Sequence, residues 1–184
     1  CPQPVIQTRK IMLAEPGSVL QVLVDDQVCR DNVARLAATL GYSIDVEETD
    51  QIIRLELSPG EKPEKSSAST AISGPRVIFI GSDQMGSGDP ELGRILMKNF
   101  IFTLTEADIV PDAIYLVNSG VRLTIDGSDV IEPLEELANR GVDIASCGLC
   151  LEFFDAKDCL AVGRISNMLE LVNALEGAGN IIRL

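Results

Sequence analysis

The stretch Val142–Cys150, with the sequence VDIASCGLC, decides the fold of the larger part of the chain. Its first four residues, Val142–Ala145, are apolar apart from Asp143 and are of strand length, which predicts a buried strand. Two further runs, Val77–Ile80 and Ala113–Val117, have the same apolar character. Strands that alternate with helical segments are typical of a mainly parallel sheet with helices on both faces, so we expect a three-layer α/β fold.

Helical segments separate these strands. The helices are predicted at Glu91–Thr105, Val130–Arg140 and Asn167–Leu175, and a last strand at Asn180–Arg183. Asp89 is suited to cap the first of these helices and Pro90 to occupy its first position. Ligands of such sheets gather at the carboxyl ends of the strands. We therefore expect the loops after the strands to meet in one site, and these loops are 81–88, 118–122 and 146–150.

Residues 1–58 predict a smaller α/β unit with the order helix, strand, helix, strand, strand. Proline suits the first turn of a helix, and Gly41 suits the end of the second one. We expect a hairpin turn around Thr49 and Asp50, and both helices on one face of a small sheet. The helices are expected from Pro2–Pro4 to Glu15 and from Asp26 to Gly41, and the strands at 19–24, around Ile44 and Val46, and at Ile53–Leu57.

Residues 59–75, with the sequence PGEKPEKSSASTAISGP, separate the two parts. Charged residues, serine, proline and glycine replace the apolar periodicity there, which is typical of a linker. The chain is therefore predicted to contain a domain at 1–58, a linker at 59–75 and a second domain at 76–184.

The composition excludes several classes of function. The 184 residues contain no histidine, so Ser-His-Asp triads, Cys-His dyads and histidine-ligated metal sites cannot form. The net charge of −13 repels a phosphate backbone, which argues against a nucleic-acid partner. No apolar run reaches the roughly 18 residues that span a bilayer, so we expect no membrane segment. Cysteine sulfur is the remaining reactive group.

Five cysteines in a chain of this length are too few for a disulfide scaffold and suit a reducing cytoplasm. Cys1 stands first in the sequence, as it does in a mature bacterial lipoprotein. The apolar-patterned helix that is expected directly after Cys1 argues against that alternative, because a flexible polar stretch usually follows a lipid anchor.

Cys1 precedes a predicted helix N-terminus, where backbone N–H groups stabilise a thiolate. Cys147 and Cys150 form a C-x-x-C turn after a buried strand, and a helix beginning at Leu151 would support a thiolate there. Three interpretations of this turn stay open: a persulfide acceptor with a resolving thiol, a thioredoxin-like dithiol, and part of a metal site. The metal site would add Cys159, with Cys29, Cys1 or a carboxylate as its fourth ligand.

Three weaker candidates lie outside these cysteine sites. The glycine-rich loop Gly81–Gly88 could cradle an anion, but it lacks the Gly-Lys-Ser/Thr ending of a P-loop, and a flexible turn is the favoured interpretation. Arg122 could hold an anion near Cys147, although a solvated arginine is the favoured interpretation. Cys29 and Cys159 have no surrounding motif and are expected to be packing residues.

Two family resemblances combine these features. Cys1-Pro2-Gln3-Pro4, with the helix, strand and second helix after it, resembles the TusA/SirA-like sulfur carriers over residues 1–57. In that family the cysteine of the Cys-Pro-x-Pro motif carries a persulfide, which implies a carrier role for Cys1. The first strand with its glycine-rich loop, the run 115–121 and a cysteine after the third strand resemble the DsrE-like family. There the last cysteine receives sulfur from a TusA-like carrier, which implies an acceptor role for Cys147.

The fused order of the two domains is similar to that of the YedF-like proteins, which are associated with selenium metabolism or sulfur transfer. The resemblance implies a sulfurtransferase-like relay of persulfide sulfur, or selenium, in which Cys1, Cys147 and Cys150 react and no cofactor or metal takes part. A linker would let Cys1 approach Cys147 within one molecule at a high effective concentration. The implied partners are a persulfide or selenide donor protein and an acceptor protein, and the implied assembly is a cytoplasmic homo-oligomer. The alternatives are a non-catalytic adaptor module of a sulfur-relay complex and a C-x-x-C dithiol oxidoreductase.

Overall fold

The computed structural model describes residues 3–49, 52–60 and 74–184. The chain folds into two compact units, Cys1–Ala68 and Ser69–Leu184. Most of the predicted linker, and Cys1 itself, lie outside the described residues. The division of the chain at 58 and 75 stays a prediction.

Residues 3–49 and 52–60, the described part of the N-terminal unit, form two helices and three strands. Its sheet has the order β1-β3-β2, and both strand pairs are antiparallel. The predicted pairing of the last two strands is confirmed, while Asp50 of the predicted turn lies outside the described residues. In chain order, the elements are α1 (Gln3–Ala14), β1 (Leu20–Val24), α2 (Gln27–Thr39), β2 (Tyr42–Glu48) and β3 (Ile53–Pro59).

Local sequence signals fix the ends of helix α2. The carboxylate of Asp26 accepts a hydrogen bond from the N–H of Cys29 at 2.8 Å, as an N-cap residue does. Gly41 follows the helix with φ of +79°, a left-handed conformation that glycine adopts without a steric penalty. The apolar side chains of α1, α2 and one face of β3 form a single core, which confirms two helices on one face of a small sheet. Its fully buried members are Val33, Ala37, Leu55 and Leu57.

The C-terminal unit is built on a five-stranded sheet with the order β7-β6-β5-β4-β8. Every strand pair in it is parallel, as predicted. The strands are β4 (Arg76–Ile80), β5 (Ala113–Leu116), β6 (Asp143–Cys147), β7 (Arg164–Ser166) and β8 (Asn180–Arg183). The helices are α3 (Pro90–Thr105), α4 (Ile131–Asn139), α5 (Gly148–Phe153) and α6 (Met168–Glu176), with short 3-10 helices at Asn118–Thr124 and Lys157–Cys159.

Alternate residues of the central strands face two separate cores, so the predicted three-layer architecture is confirmed. Because successive strand side chains point to opposite faces, Ile114 and Tyr115 enter different cores. The larger core joins Ile78, Ile80, Ile114, Leu116 and Ile144 to Met97, Ile101, Leu134, Leu137 and Leu151 of helices α3, α4 and α5. The smaller core joins Val77, Tyr115 and Ala145 to Leu171 of helix α6.

Beside the cysteine pair, the structure differs from the prediction at strand β7 and at the start of helix α5. Strand β7 was not predicted, because it is only three residues long and two of them are exposed. Its pairing carries strand β6 as far as Cys147, opposite Ser166. Helix α5 therefore begins at Gly148, directly after the strand. The expected start at Leu151 was wrong, and Cys150 lies within the helix.

Candidate functional site at the end of strand β6

Cys147 lies at the junction of strand β6 and helix α5. It is the last residue of the strand and the N-cap residue of the helix, with extended backbone angles. Its side chain is buried, with 7% of its surface exposed. It lines a crevice of about 10 Å³ together with Val117, Ser166 and Met168. This crevice has space for about one water-sized atom beside Cys147.

Cys150 is half-buried and contacts two groups of the site. The backbone N–H of Asn118 donates a hydrogen bond to its Sγ atom over 3.1 Å. Burial has the largest effect on the Cys150 thiol and raises its pKa above the ordinary value, and a hydrogen bond with Cys147 raises it further. The hydrogen bond from the Asn118 N–H lowers this pKa and so opposes the rise. The contact with Cys147 therefore favours the protonated form of the Cys150 thiol.

Asn118 reaches Cys150 from the loop after strand β5. It has φ of +51°, one of two positive values among the described non-glycine residues. Two residues later, a Cβ atom on Gly120 would lie only 2.6 Å from the carbonyl oxygen of Ile80. Any residue other than glycine at position 120 would therefore push this loop away from strand β4, so close packing fixes the path of the loop.

A polar network holds strand β7 and helix α6 beside Cys147. Arg164 donates two hydrogen bonds to Asp143, at 2.8 and 2.7 Å, and also pairs with Glu170. Glu170 accepts a further hydrogen bond from the Ser166 hydroxyl at 2.9 Å. The hydrogen bond from Arg164 lowers the pKa of Glu170, and that from Ser166 adds to the effect. Since these groups are partly exposed, each pair contributes at most about 1 kcal/mol, and the network serves mainly to orient the crevice wall.

Several apolar side chains are exposed on the elements that carry or flank the cysteine pair. Leu149 and Phe153 on helix α5 are 74% and 82% exposed. Ile165 on strand β7 and Met168 and Leu169 on helix α6 are exposed as well.

The glycine-rich loop bends between strand β4 and helix α3, which agrees with the favoured interpretation as a turn, and at least three of its N–H groups donate hydrogen bonds within the protein. The N–H of Gly81 donates to the carbonyl of Leu184 at 3.0 Å, and that of Asp83 to the hydroxyl of Ser119 at 3.2 Å. The N–H of Met85 donates to a carbonyl of helix α3 at 2.9 Å. These donors are therefore not available to cradle an anion.

Arg122 is exposed, in agreement with the favoured interpretation, but it is also stacked. Its guanidinium carbon lies 4.5 Å from the centre of the Phe154 ring, at cation–π distance. It lines a surface groove of about 510 Å³ with Arg94 and Lys98, and Cys147 does not line this groove. The structure therefore does not bring Arg122 into the cysteine site.

The two other described cysteines, Cys29 and Cys159, differ in their burial. Cys29 is buried in the N-terminal core, which confirms its packing role. The side-chain hydrogen bond to Asp26, together with burial, raises its pKa. Cys159 is exposed, so the expectation that it packs was wrong. It ends the short surface 3-10 helix at Lys157–Cys159, where its carbonyl accepts from the N–H of Asp126 at 2.9 Å.

The alternative metal site lacks the ligands it would need among residues 3–49, 52–60 and 74–184. No group of three or more cysteine or carboxylate side chains in these ranges is placed to hold a metal ion. In the same ranges, no helix combines the length and apolar character that crossing a membrane requires.

Comparison with known families tests the resemblance of the N-terminal part. Residues 1–58 match the family model of the sulfurtransferase TusA. The TusA-like resemblance is thereby confirmed for this domain, and the matched segment includes Cys1. No curated protein matches the chain significantly. The three-layer parallel architecture that the DsrE-like resemblance implied for the second domain is the architecture described above.

Three solved structures that are similar to this chain each match about 60% of its length, and the match spans nearly the whole of each of those proteins. The ychN protein from E. coli is 18% identical, covers 60% of this chain over 99% of its own length, and gives a TM-score of 0.49. MTH1491 from Methanobacterium thermoautotrophicum, a protein of unknown function, is 22% identical over 60% of this chain and 99% of its own, with a TM-score of 0.43. BT1422 from Bacteroides thetaiotaomicron, also of unknown function, is 14% identical over 60% and 95%, with a TM-score of 0.44.

Two contributors to the site were not predicted from the sequence. The first is the backbone N–H of Asn118. The sequence signal for it was an asparagine directly after a strand, because asparagine tolerates the left-handed backbone conformation that Asn118 adopts. The second is Ser166, which faces Cys147 across the strand pair. Its only signal was the Ser166-Asn167 cap before helix α6, where the Asn167 side chain accepts from the N–H of Glu170 at 3.0 Å.

Proposed function

We propose that the protein relays persulfide sulfur between cysteine thiols, with Cys1 as carrier, Cys147 as acceptor and Cys150 as resolving thiol. The observation that carries this proposal is the contact between Cys150 and Cys147. Burial and this contact raise the pKa of the Cys150 thiol, so we assign unequal roles to the two thiols: Cys147 accepts the sulfur, and Cys150 resolves the persulfide.

The first step loads Cys147. The Cys147 thiolate attacks the outer sulfur of a persulfide on Cys1, the Cys147–sulfur bond forms, and the sulfur–sulfur bond at Cys1 breaks. Cys1 leaves as a thiolate, and the transferred sulfur stays on Cys147 as a persulfide. The match of residues 1–58 to a sulfurtransferase family supports Cys1 as the donor. The crevice beside Cys147 offers room for one additional atom.

The second step unloads Cys147. The Cys150 thiolate attacks the Cys147 Sγ atom, a Cys147–Cys150 disulfide forms, and hydrosulfide leaves with the electron pair of the broken sulfur–sulfur bond. This step balances without an added oxidant, since the outer sulfur is reduced while the two cysteines are oxidised. A further round then requires a thiol reductant to reopen the disulfide.

The same thiolate chemistry accepts selenium in place of sulfur, so we extend the proposal to a selenium cargo. The proposed partners are a donor protein that presents a persulfide or selenide and a protein that accepts the product. Free thiols at all four described cysteines suit a reducing cytoplasm, where we propose that the relay operates. Self-association stays a prediction.

The test is to incubate the full chain with a small-molecule polysulfide and to measure intact and peptide masses before and after reduction. We expect a reducible gain of one sulfur on Cys147, most clearly in Cys150→Ser, where the resolving thiol is absent. Cys147→Ser should lose this gain, and Cys159→Ser is the matched control, because Cys159 is an exposed thiol outside the site. A gain that follows Cys159, or none at Cys147, contradicts the proposal. Retained partner binding in variants that accept no sulfur would instead support an adaptor module.

A dithiol oxidoreductase is the second candidate, because the same Cys147–Cys150 contact also suits a disulfide pair. It predicts reduction of insulin disulfides that persists in Cys1→Ser. The relay predicts no insulin reduction above the rate of a free dithiol, and it predicts labile sulfur on Cys147.

A further inference from the structure

The N–H of Asn118 is placed on the resolving thiol by an unusual backbone conformation. The distance from this nitrogen to the Cys150 Sγ atom is 3.1 Å. Asn118 has φ of +51°, whereas most residues other than glycine avoid this region. Its side chain is exposed, so the backbone of Asn118, and not its side chain, makes the contact with the site.

We propose that Asn118 is a positioning residue for the resolving step: its left-handed backbone aims an N–H at Cys150 and stabilises the thiolate with which Cys150 attacks Cys147. The inference rests on the proposed relay, in which this thiolate forms the Cys147–Cys150 disulfide and releases hydrosulfide. A hydrogen-bond donor at a sulfur favours the charged form of that sulfur.

Asn118 opposes two neighbours that favour the protonated thiol. Burial of Cys150 and its hydrogen bond to Cys147 both favour that form. When a persulfide occupies Cys147, the thiolate needed for attack must form in this half-buried place. The Asn118 N–H is the described donor on the Cys150 sulfur. Its loss should therefore slow the release of hydrosulfide without preventing the loading of Cys147.

The conformation can be altered without removing any side chain of the site. Asn118→Gly keeps the left-handed backbone accessible, because glycine has no Cβ atom. Asn118→Val disfavours this backbone strongly, since β-branched residues rarely adopt positive φ, and Asn118→Ala does so more mildly. Asp155→Val is the matched control, because Asp155 is also exposed, has φ of +52° and makes no contact with Cys150 through its N–H.

The test measures the rate at which iodoacetamide modifies Cys150 as a function of pH, in the Cys147→Ser background of the full chain. Serine keeps a hydrogen-bond acceptor at position 147 and leaves one thiol in the site. We expect Asn118→Val to move the midpoint of this profile upward by about one pH unit and Asn118→Ala to move it less. Asn118→Gly and Asp155→Val should leave it in place. Far-UV circular dichroism checks that each variant is folded.

A second measurement uses chains with Cys147 intact and follows hydrosulfide release after polysulfide loading. Asn118→Val should release it several-fold more slowly than Asn118→Gly, with equal loading of Cys147. A midpoint that is the same in Asn118→Val, Asn118→Gly and the parent overturns the role of Asn118. Because iodoacetamide needs no persulfide, that failure is distinct from a failure to load Cys147 in the parent, which overturns the relay itself.

Discussion

Gly163 lies immediately before strand β7, and its replacement by alanine tests how tightly this strand is held against strand β6. Gly163 has φ of +81°. A Cβ atom added there would lie 2.4 Å from the carbonyl oxygen of Ile144 and 2.9 Å from two of its side-chain atoms. Because the nearest atom belongs to the backbone of the central part of the sheet, it cannot move aside as a flexible side chain would.

Two costs add in Gly163→Ala. The left-handed backbone costs about 1–2 kcal/mol for a residue with a Cβ atom. Insertion of a methyl group into a packed site costs about 1–3 kcal/mol more. We therefore expect the free energy of unfolding of the C-terminal unit to fall by about 2–5 kcal/mol in total.

Gly127→Ala separates the two costs. Gly127 has nearly the same backbone, with φ of +84°, but no atom lies within 4 Å of its added Cβ. It should therefore show the conformational cost alone. Urea unfolding of both variants, followed by far-UV circular dichroism, gives the comparison. Equal losses in the two variants, within about 0.5 kcal/mol, would refute the argument that Gly163 is fixed by contact with Ile144. Faster alkylation of Cys147 in Gly163→Ala alone would show that the strand also covers the thiol.

Two further predictions concern the core and a helix cap. Leu151→Ala should lower the free energy of unfolding by about 2–5 kcal/mol, because Leu151 is fully buried. Leu149→Ala on the same helix should change it little, since Leu149 is 74% exposed. Similar losses of unfolding free energy in the two variants, measured by urea unfolding, would contradict this prediction. The carboxylate of Asp26 accepts hydrogen bonds from the side chain and from the backbone N–H of Cys29. Both bonds lower the Asp26 pKa, and the bond from the Cys29 side chain has the larger effect. The stability that Asp26 contributes is thus present above its unfolded-state pKa and lost as pH falls through the folded one. Thermal unfolding against pH should show that Asp26→Ala is less stable than the parent at pH 7, and that the difference shrinks in acid; a constant difference would contradict this.

The elements with clear hydrophobic patterns were predictable from the sequence. The strands at Val77–Ile80 and Ala113–Val117 are continuous apolar runs, and burial on both faces of a parallel sheet requires such runs. The entry of helix α3 was equally clear, because Asp89 accepts from the N–H groups of Glu91 and Leu92, at 2.9 and 3.0 Å.

Features set by contacts between distant residues were not predictable. Strand β7 is defined by its pairing with strand β6 and carries no apolar pattern of its own. That pairing also decides that helix α5 begins at Gly148. Within the site, the sequence indicated Cys147 and Cys150, but not the N–H of Asn118, which lies 32 residues before Cys150. No local pattern encodes a contact over that separation.

The most direct test of the relay is a single-turnover experiment on polysulfide-loaded protein that quantifies hydrosulfide and the Cys147–Cys150 disulfide together. The account predicts that the two products rise at the same rate and in equal amounts. It also predicts that Cys150→Ser keeps its sulfur on Cys147 and releases no hydrosulfide. Release from Cys150→Ser at the parent rate, or a disulfide that forms without hydrosulfide, would contradict the roles assigned to these two cysteines.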